Sequence, residues 1–164
     1  MTSSRDQYGI KLSILDRIIT VQSGNRATIR DLEETLHRDL TALLNTRRAD
    51  EAVTGDFAES SNSLLSFGLP DFTGCSALDR SEQERFRREI ESAIRCFEPR
   101  LSNVTVSLER PSQKDARGKL LDTSLRYHIR ALLRVEPEPE PVYFDAVLEP
   151  GSGRVELEAP HSKR

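Results

Sequence analysis

Hydrophobic residues recur every three to four positions in the first part of the chain and, beyond Pro99, every two. Ile10, Leu12, Ile14, Leu15, Ile18 and Ile19 crowd one short segment, with 14/18 and 15/19 at helical spacing, which predicts a first short helix broken by Gly24 and Asn25. Ile29, Leu32, Leu36, Leu40, Leu43 and Leu44 then form the apolar stripe of a longer helix, with Thr28 and Asp31 placed to cap its start. Its other face, Arg30, Glu33, Glu34, His37, Arg38 and Thr41, is polar and expected to be solvated. Periodicity vanishes over residues 47–63, which read as a loop, and Ser63 to Phe67 has room for one helical turn. Gly68, Pro70 and Gly74 force a second irregular connection. Ser81 and Glu84 stand at capping-box spacing ahead of Phe86, Ile90, Ala93, Ile94 and Phe97, with Glu84/Arg88 and Glu91/Arg95 as supporting pairs. This third helix ends near Pro99, which drives the residue before it out of the helical region.

Val104, Val106 and Leu108 alternate with Thr105, Ser107 and Glu109 as a first strand. After turn residues from Pro111 to Gly118, Leu125, Tyr127, Ile129, Ala131, Leu133 and Val135 alternate with Arg126, His128, Arg130, Leu132 and Arg134 as a second. Glu136 to Pro141 reads as an extended connector whose prolines donate no hydrogen bond. Val142, Phe144, Ala146 and Leu148 predict a third strand, Pro150 to Gly153 a hairpin turn, and Val155 and Leu157 a short last strand. Helices followed by antiparallel strands predict an α+β fold, with N-terminal helices packed on one face of a three- to four-stranded, mainly antiparallel sheet formed by the C-terminal half.

At 164 residues the chain fits one domain, 1–164, with 1–9 and 159–164 expected to be flexible. Trp is absent, so the core falls to Leu, Ile and Val with a few Phe. The 24 Lys and Arg against 27 Asp and Glu give a net charge of -3, which leaves any basic function local. No apolar run approaches the ~20 residues that span a bilayer, and no signal-peptide h-region follows the polar start, so a soluble, cytoplasmic protein is expected. Cys75 and Cys96 suit neither a disulfide framework nor a structural zinc site, and His128 has no second ligand at metal-binding spacing. No metal or cofactor is expected.

Arg126, His128, Arg130 and Arg134 form the one candidate nucleic-acid surface, but stacking aromatics are missing and Glu109, Asp145 and Glu149 can neutralise it across the ladder. A salt-bridged outer face is expected first and an acidic protein partner second, with no nucleic acid. Glu98-Pro99-Arg100 reads from chemistry alone as a helix stop with two solvated charges. Asn45 suits a left-handed helix cap, and Arg47 and Arg48 suit the negative helix end or a neighbouring subunit.

Leu40-Thr41-Ala42-Leu43-Leu44-Asn45-Thr46-Arg47, Phe67-Gly68-Leu69-Pro70-Asp71 and Phe97-Glu98-Pro99-Arg100-Leu101, in this order, resemble a known family. It is the gene-25-like, lysozyme-related family of contractile-tail baseplate wedge proteins, and within it the TssE subunits of type VI secretion systems. The resemblance runs from Leu12 to Leu148 and implies an α+β fold and a structural rather than enzymatic role. It implies docking to other wedge subunits of the TssF, TssG and TssK class and to sheath subunits of the TssB and TssC class. It further implies no small-molecule substrate and a cytoplasmic site at the inner-membrane-attached baseplate, with membrane contact only through the apparatus. By this resemblance Glu98, Pro99 and Arg100 are a docking knob, which presents an acid and a base in a stiff geometry. The terminal hairpin, with Val142, Phe144, Val155 and Leu157, is expected to offer sheath subunits an edge strand. Another contractile tail is the near alternative. A peptidoglycan-cleaving glycosidase is the rival from a different class, and it needs a carboxylic acid with a raised pKa and a second carboxylate. Glu33, Glu34, Glu82, Glu84, Glu89 and Glu91 are expected instead to stay ionised and solvated beside Arg.

Overall fold

The computed structural model describes residues 28–48, 63–73, 79–109, 124–149 and 151–158. The expected helix over Ile10 to Ile19, Cys75 and the 111–118 turn lie outside them. Helix α1 (Ile29–Asn45) begins at a capping box, in which the Asp31 N–H donates to Thr28 Oγ1 at 3.2 Å and the Thr28 N–H to Asp31 Oδ2 at 2.8 Å. Leu32, Leu36, Leu40, Leu43 and Leu44 are buried on one stripe, whereas Ile29 is only half-buried at the first turn.

A 3-10 turn (Leu64–Ser66) precedes helix α2 (Arg80–Phe97). The N-cap of α2 is Asp79, whose carboxylate accepts from the Ser81 N–H at 2.8 Å and Oγ at 2.7 Å. This corrects the expected Ser81/Glu84 box: Asp79 reaches the free amide first, and Glu84 pairs with Arg87 at 2.7 Å instead. Glu91 and Arg95 pair as expected, at 2.7 Å.

Strands β1 (Leu101–Glu109), β2 (Leu125–Leu133), β3 (Glu140–Glu149) and β4 (Arg154–Leu157) form one antiparallel sheet in chain order. β3 starts inside the predicted connector, with Pro141 opposite Leu132. A bulge between Ser102 and Thr105, with Asn103 at φ 51°, lets Leu101 and Val104 both face the core. Tyr127, Ile129, Val142, Phe144, Val155 and Leu157 are buried on the same inner face, which α2 covers mainly over β1 and α1 over β4.

The helices also guard the sheet's outer edges. On β1, Arg95 donates to the Val104 carbonyl at 2.8 Å and Arg87 to that of Val106 at 3.2 Å, while Glu91 accepts from the Val106 N–H at 3.4 Å. On β4, the Asn45 amide donates to the Val155 carbonyl at 2.8 Å and accepts from its N–H at 3.1 Å. His37 Nε2 lies 2.8 Å from the Leu157 carbonyl. The expected polar face of α1 is thus partly a clasp, and Asn45 ends the helix without turning left-handed, followed by the extended Thr46 (φ -82°, ψ 128°). β4 pairs with β3 only from Ala146 to Glu149, with one further bond from the Glu158 N–H to the Asp145 carbonyl. By strand alternation that bond points the odd-numbered backbone groups of β3 outward. Pro141, past the end of β4, therefore removes a donor from the remaining stretch.

Candidate functional site

The three strings meet at one joint. Gly68, at φ +105°, lets its backbone run against α1's exit, where a Cβ would stand 2.3 Å from the Thr46 carbonyl oxygen. There the Leu69 N–H donates to the Thr46 carbonyl at 2.9 Å and the Arg48 N–H to the Leu69 carbonyl at 2.8 Å. Arg47 reaches Asp71 at 3.5 Å and the Ser152 carbonyl at 3.3 Å, and Arg48 reaches Glu89 at 3.3 Å. Asp71 also accepts from the Thr73 N–H and hydroxyl, and these bonds hold its carboxyl below the usual range. Phe67 stacks edge-on against Phe97 with centroids 5.3 Å apart, which joins the second string to the third.

Glu98 and Arg100 face each other rather than outward. Arg100 Nε and Nη2 bind the two Glu98 oxygens at 2.7 and 2.5 Å, and Nη2 also reaches Asp39 of α1 at 2.7 Å. The side chains of Glu98 and Arg100 are 6% and 15% exposed. Burial works against the Arg100 charge, but the bonds to Glu98 and Asp39 outweigh it and hold the guanidinium above its ordinary pKa. This corrects the expected solvated pair: α2 ends with Glu98 directed inward, and the two-residue step across Pro99 closes a fork onto it. The Nη1 of Arg100 is buried without a hydrogen-bond partner among the described residues. Pro99 alone of the triplet is exposed. Sequence reasoning missed Asp39, although its place one residue before the first string was a signal.

The terminal edge is also corrected. Val142 and Phe144 lie on β3, an inner strand of the sheet, with their side chains in the core. Val155 and Leu157 are on the edge strand but equally buried, and the backbone of Val155 is already bound by Asn45.

On the sheet's outer face Arg126 contacts Glu158 at 2.6 Å, Glu109 at 3.6 Å and Asp145 at 3.9 Å, while His128 bridges Asp145 and Glu109. The expected salt-bridged face thus exists at this end. Glu33 departs from expectation: burial first and Glu140 second push its carboxyl up. A shallow groove of about 470 Å³ is lined instead by Arg88, Glu91, Ser92, Arg95 and Cys96. Among the described residues no His, Cys, Asp and Glu cluster suits a metal ion, and no helix is long and apolar enough to cross a membrane.

The joint is thus held by an internal ion-pair fork, beside a sheet whose β1 and β4 edges are bound by helix side chains. Residues 30–138 match the family described as baseplate wedge protein gp25, and the chain belongs to that family. The anti-adapter protein IraD of Salmonella arizonae is 31% identical over 130 residues, which cover 79% of this chain and 86% of that protein. A chain in a structure of the baseplate complex from the type VI secretion system aligns at 18% identity with a TM-score of 0.39, over 68% of this chain and 95% of that one.

Proposed function

We propose that this chain is a structural, non-catalytic wedge component of a type VI secretion baseplate that docks to other wedge subunits and helps start the contractile sheath. Family membership over residues 30–138 carries the reading. The resemblance of the three strings to TssE subunits supports the choice of apparatus, with the TssF, TssG and TssK class as wedge partners and the TssB and TssC class as sheath partners. The place of action is the cytoplasmic face of the inner membrane. At the docking joint Glu98 and Arg100 act as the internal fork that sets Pro99, and Pro99, Arg47 and Arg48 meet the partner. Strand addition at β4 is left out of this reading, because Asn45 occupies the Val155 backbone.

The test is capture of tagged protein from its native lysate in mild salt, with mass spectrometry of the co-purifying proteins. Baseplate and sheath proteins are expected with wild type. Pro99→Asp and Arg47→Ala, at exposed positions, should lower their recovery with only a small change in melting temperature, because the Arg47–Asp71 pair is exposed. Clearance of a peptidoglycan suspension by the purified protein would instead favour the hydrolase. A second reading draws on the 31% identity to IraD: an anti-adapter that binds an adapter protein. Recovery of an adapter, with baseplate proteins absent, would select it.

A further inference from the structure

The outer face of the sheet is divided. Around Arg126 and His128 every cation meets a carboxylate, whereas Arg130 and Arg134 are exposed and make no ion pair among the described residues. The residues directly opposite Arg130 are neutral, Thr105 on β1 and Tyr143 on β3. Between the two arginines sits Leu132, half-buried on this outer face and opposite Pro141. Arg134 continues the line of β2, because its N–H donates to the Arg100 carbonyl at 2.8 Å. Arg130, Leu132 and Arg134 therefore project in sequence from one side of the sheet, with ~13 Å between the arginines at ~3.3 Å per residue. The two described helices lie on the opposite face, and the clasps at Val104, Val106 and Val155 occupy edge groups that an added strand would need.

We propose that this half of the outer face docks an acidic, extended segment of a partner protein that carries Glu or Asp on either side of an apolar residue, in the pattern Glu-x-Leu-x-Glu. In an extended chain those three side chains share one face at the spacing of Arg130, Leu132 and Arg134. Each guanidinium takes a carboxylate in a two-pronged bond, and the apolar residue covers Leu132 and Pro141. A protein segment is preferred to nucleic acid, because two cations beside the acidic half of the face make a poor phosphate track for a chain of net charge -3. The surface adjoins the Pro99 joint where Arg134 meets the Arg100 carbonyl, but its argument does not depend on the baseplate reading.

The experiment uses the full chain, isotope-labelled, titrated with a synthetic Glu-x-Leu-x-Glu peptide and, separately, with a Lys-x-Leu-x-Lys peptide and a single-stranded oligonucleotide. Amide shifts confined to Arg130–Arg134 and their neighbours on β3 are expected for the acidic peptide alone, weakening with salt. Arg130→Glu with Arg134→Glu should weaken that binding by about tenfold or more, because attraction becomes like-charge repulsion. The double variant's unchanged spectrum elsewhere separates this from unfolding. No shifts with the acidic peptide, shifts centred elsewhere, undiminished binding by the double variant, or equal binding of the oligonucleotide would each overturn the proposal.

Discussion

Asn45 places both ends of its side-chain amide on Val155, imitating the strand that β4 lacks on that side. Asn45→Ala should cost ~1–3 kcal/mol, since it strips partners from two backbone groups, and should speed hydrogen exchange at the Val155 amide. Denaturant melts and exchange rates check the two halves. The same logic applies inside the joint. Removing Glu98 leaves Arg100 buried with Asp39 as its one carboxylate, so Glu98→Ala is expected to cost ~3–5 kcal/mol, seen as a lower denaturation midpoint. Sequence showed that Glu98 and Arg100 flank a helix stop. It did not show that they face each other, because residues two apart across a proline are free to point either way until Asp39 supplies a third partner from another element.

At the scale of elements, the helical stripes and strand alternation were legible because apolar spacing reports burial directly: Leu32 to Leu44 and Val142 to Leu148 are buried as their periods demand. The helix starts and the bulge were less so. Asp79 outcompeted Ser81 as a cap, and Asn103 absorbs a residue that strict alternation cannot place. Glu33 illustrates a face misread by polarity alone. Its carboxyl is raised above its ordinary 4.5 by burial and by Glu140 of β3, with Arg30 acting the other way. A carboxyl with a raised folded-state pKa contributes fully below its unfolded value and loses that contribution as pH climbs through the raised one. Glu33→Gln should therefore stabilise the protein at neutral pH and converge with wild type in acid. Urea midpoints at the two pH values measure it.

For the whole molecule, fold class and family were both readable, the first from two periods and the second from three strings. The reason those strings lie together was not. They are far apart in sequence and meet through Thr46 with Leu69, Phe67 with Phe97, and Arg100 with Asp39, each a long-range contact that no local pattern encodes. The placement of Val142 and Phe144 on an inner strand was hidden for a related reason: alternation identifies a strand but not what lies beside it.

The edge clasps have a consequence for which sequence changes the chain tolerates. His37 and Asn45 stand eight residues apart on α1, while their targets Leu157 and Val155 are two apart on β4. One residue inserted or deleted between the two would swing Asn45 by ~100° around the helix axis, with little effect on helix propensity. The same turn would move Leu40, Leu43 and Leu44 out of the core, so a lower melting temperature and chains sticking to one another through β4 are expected together. Length variation is therefore better accommodated in the connections between elements than inside α1, and helix phase in this small protein doubles as its safeguard against ribbon formation.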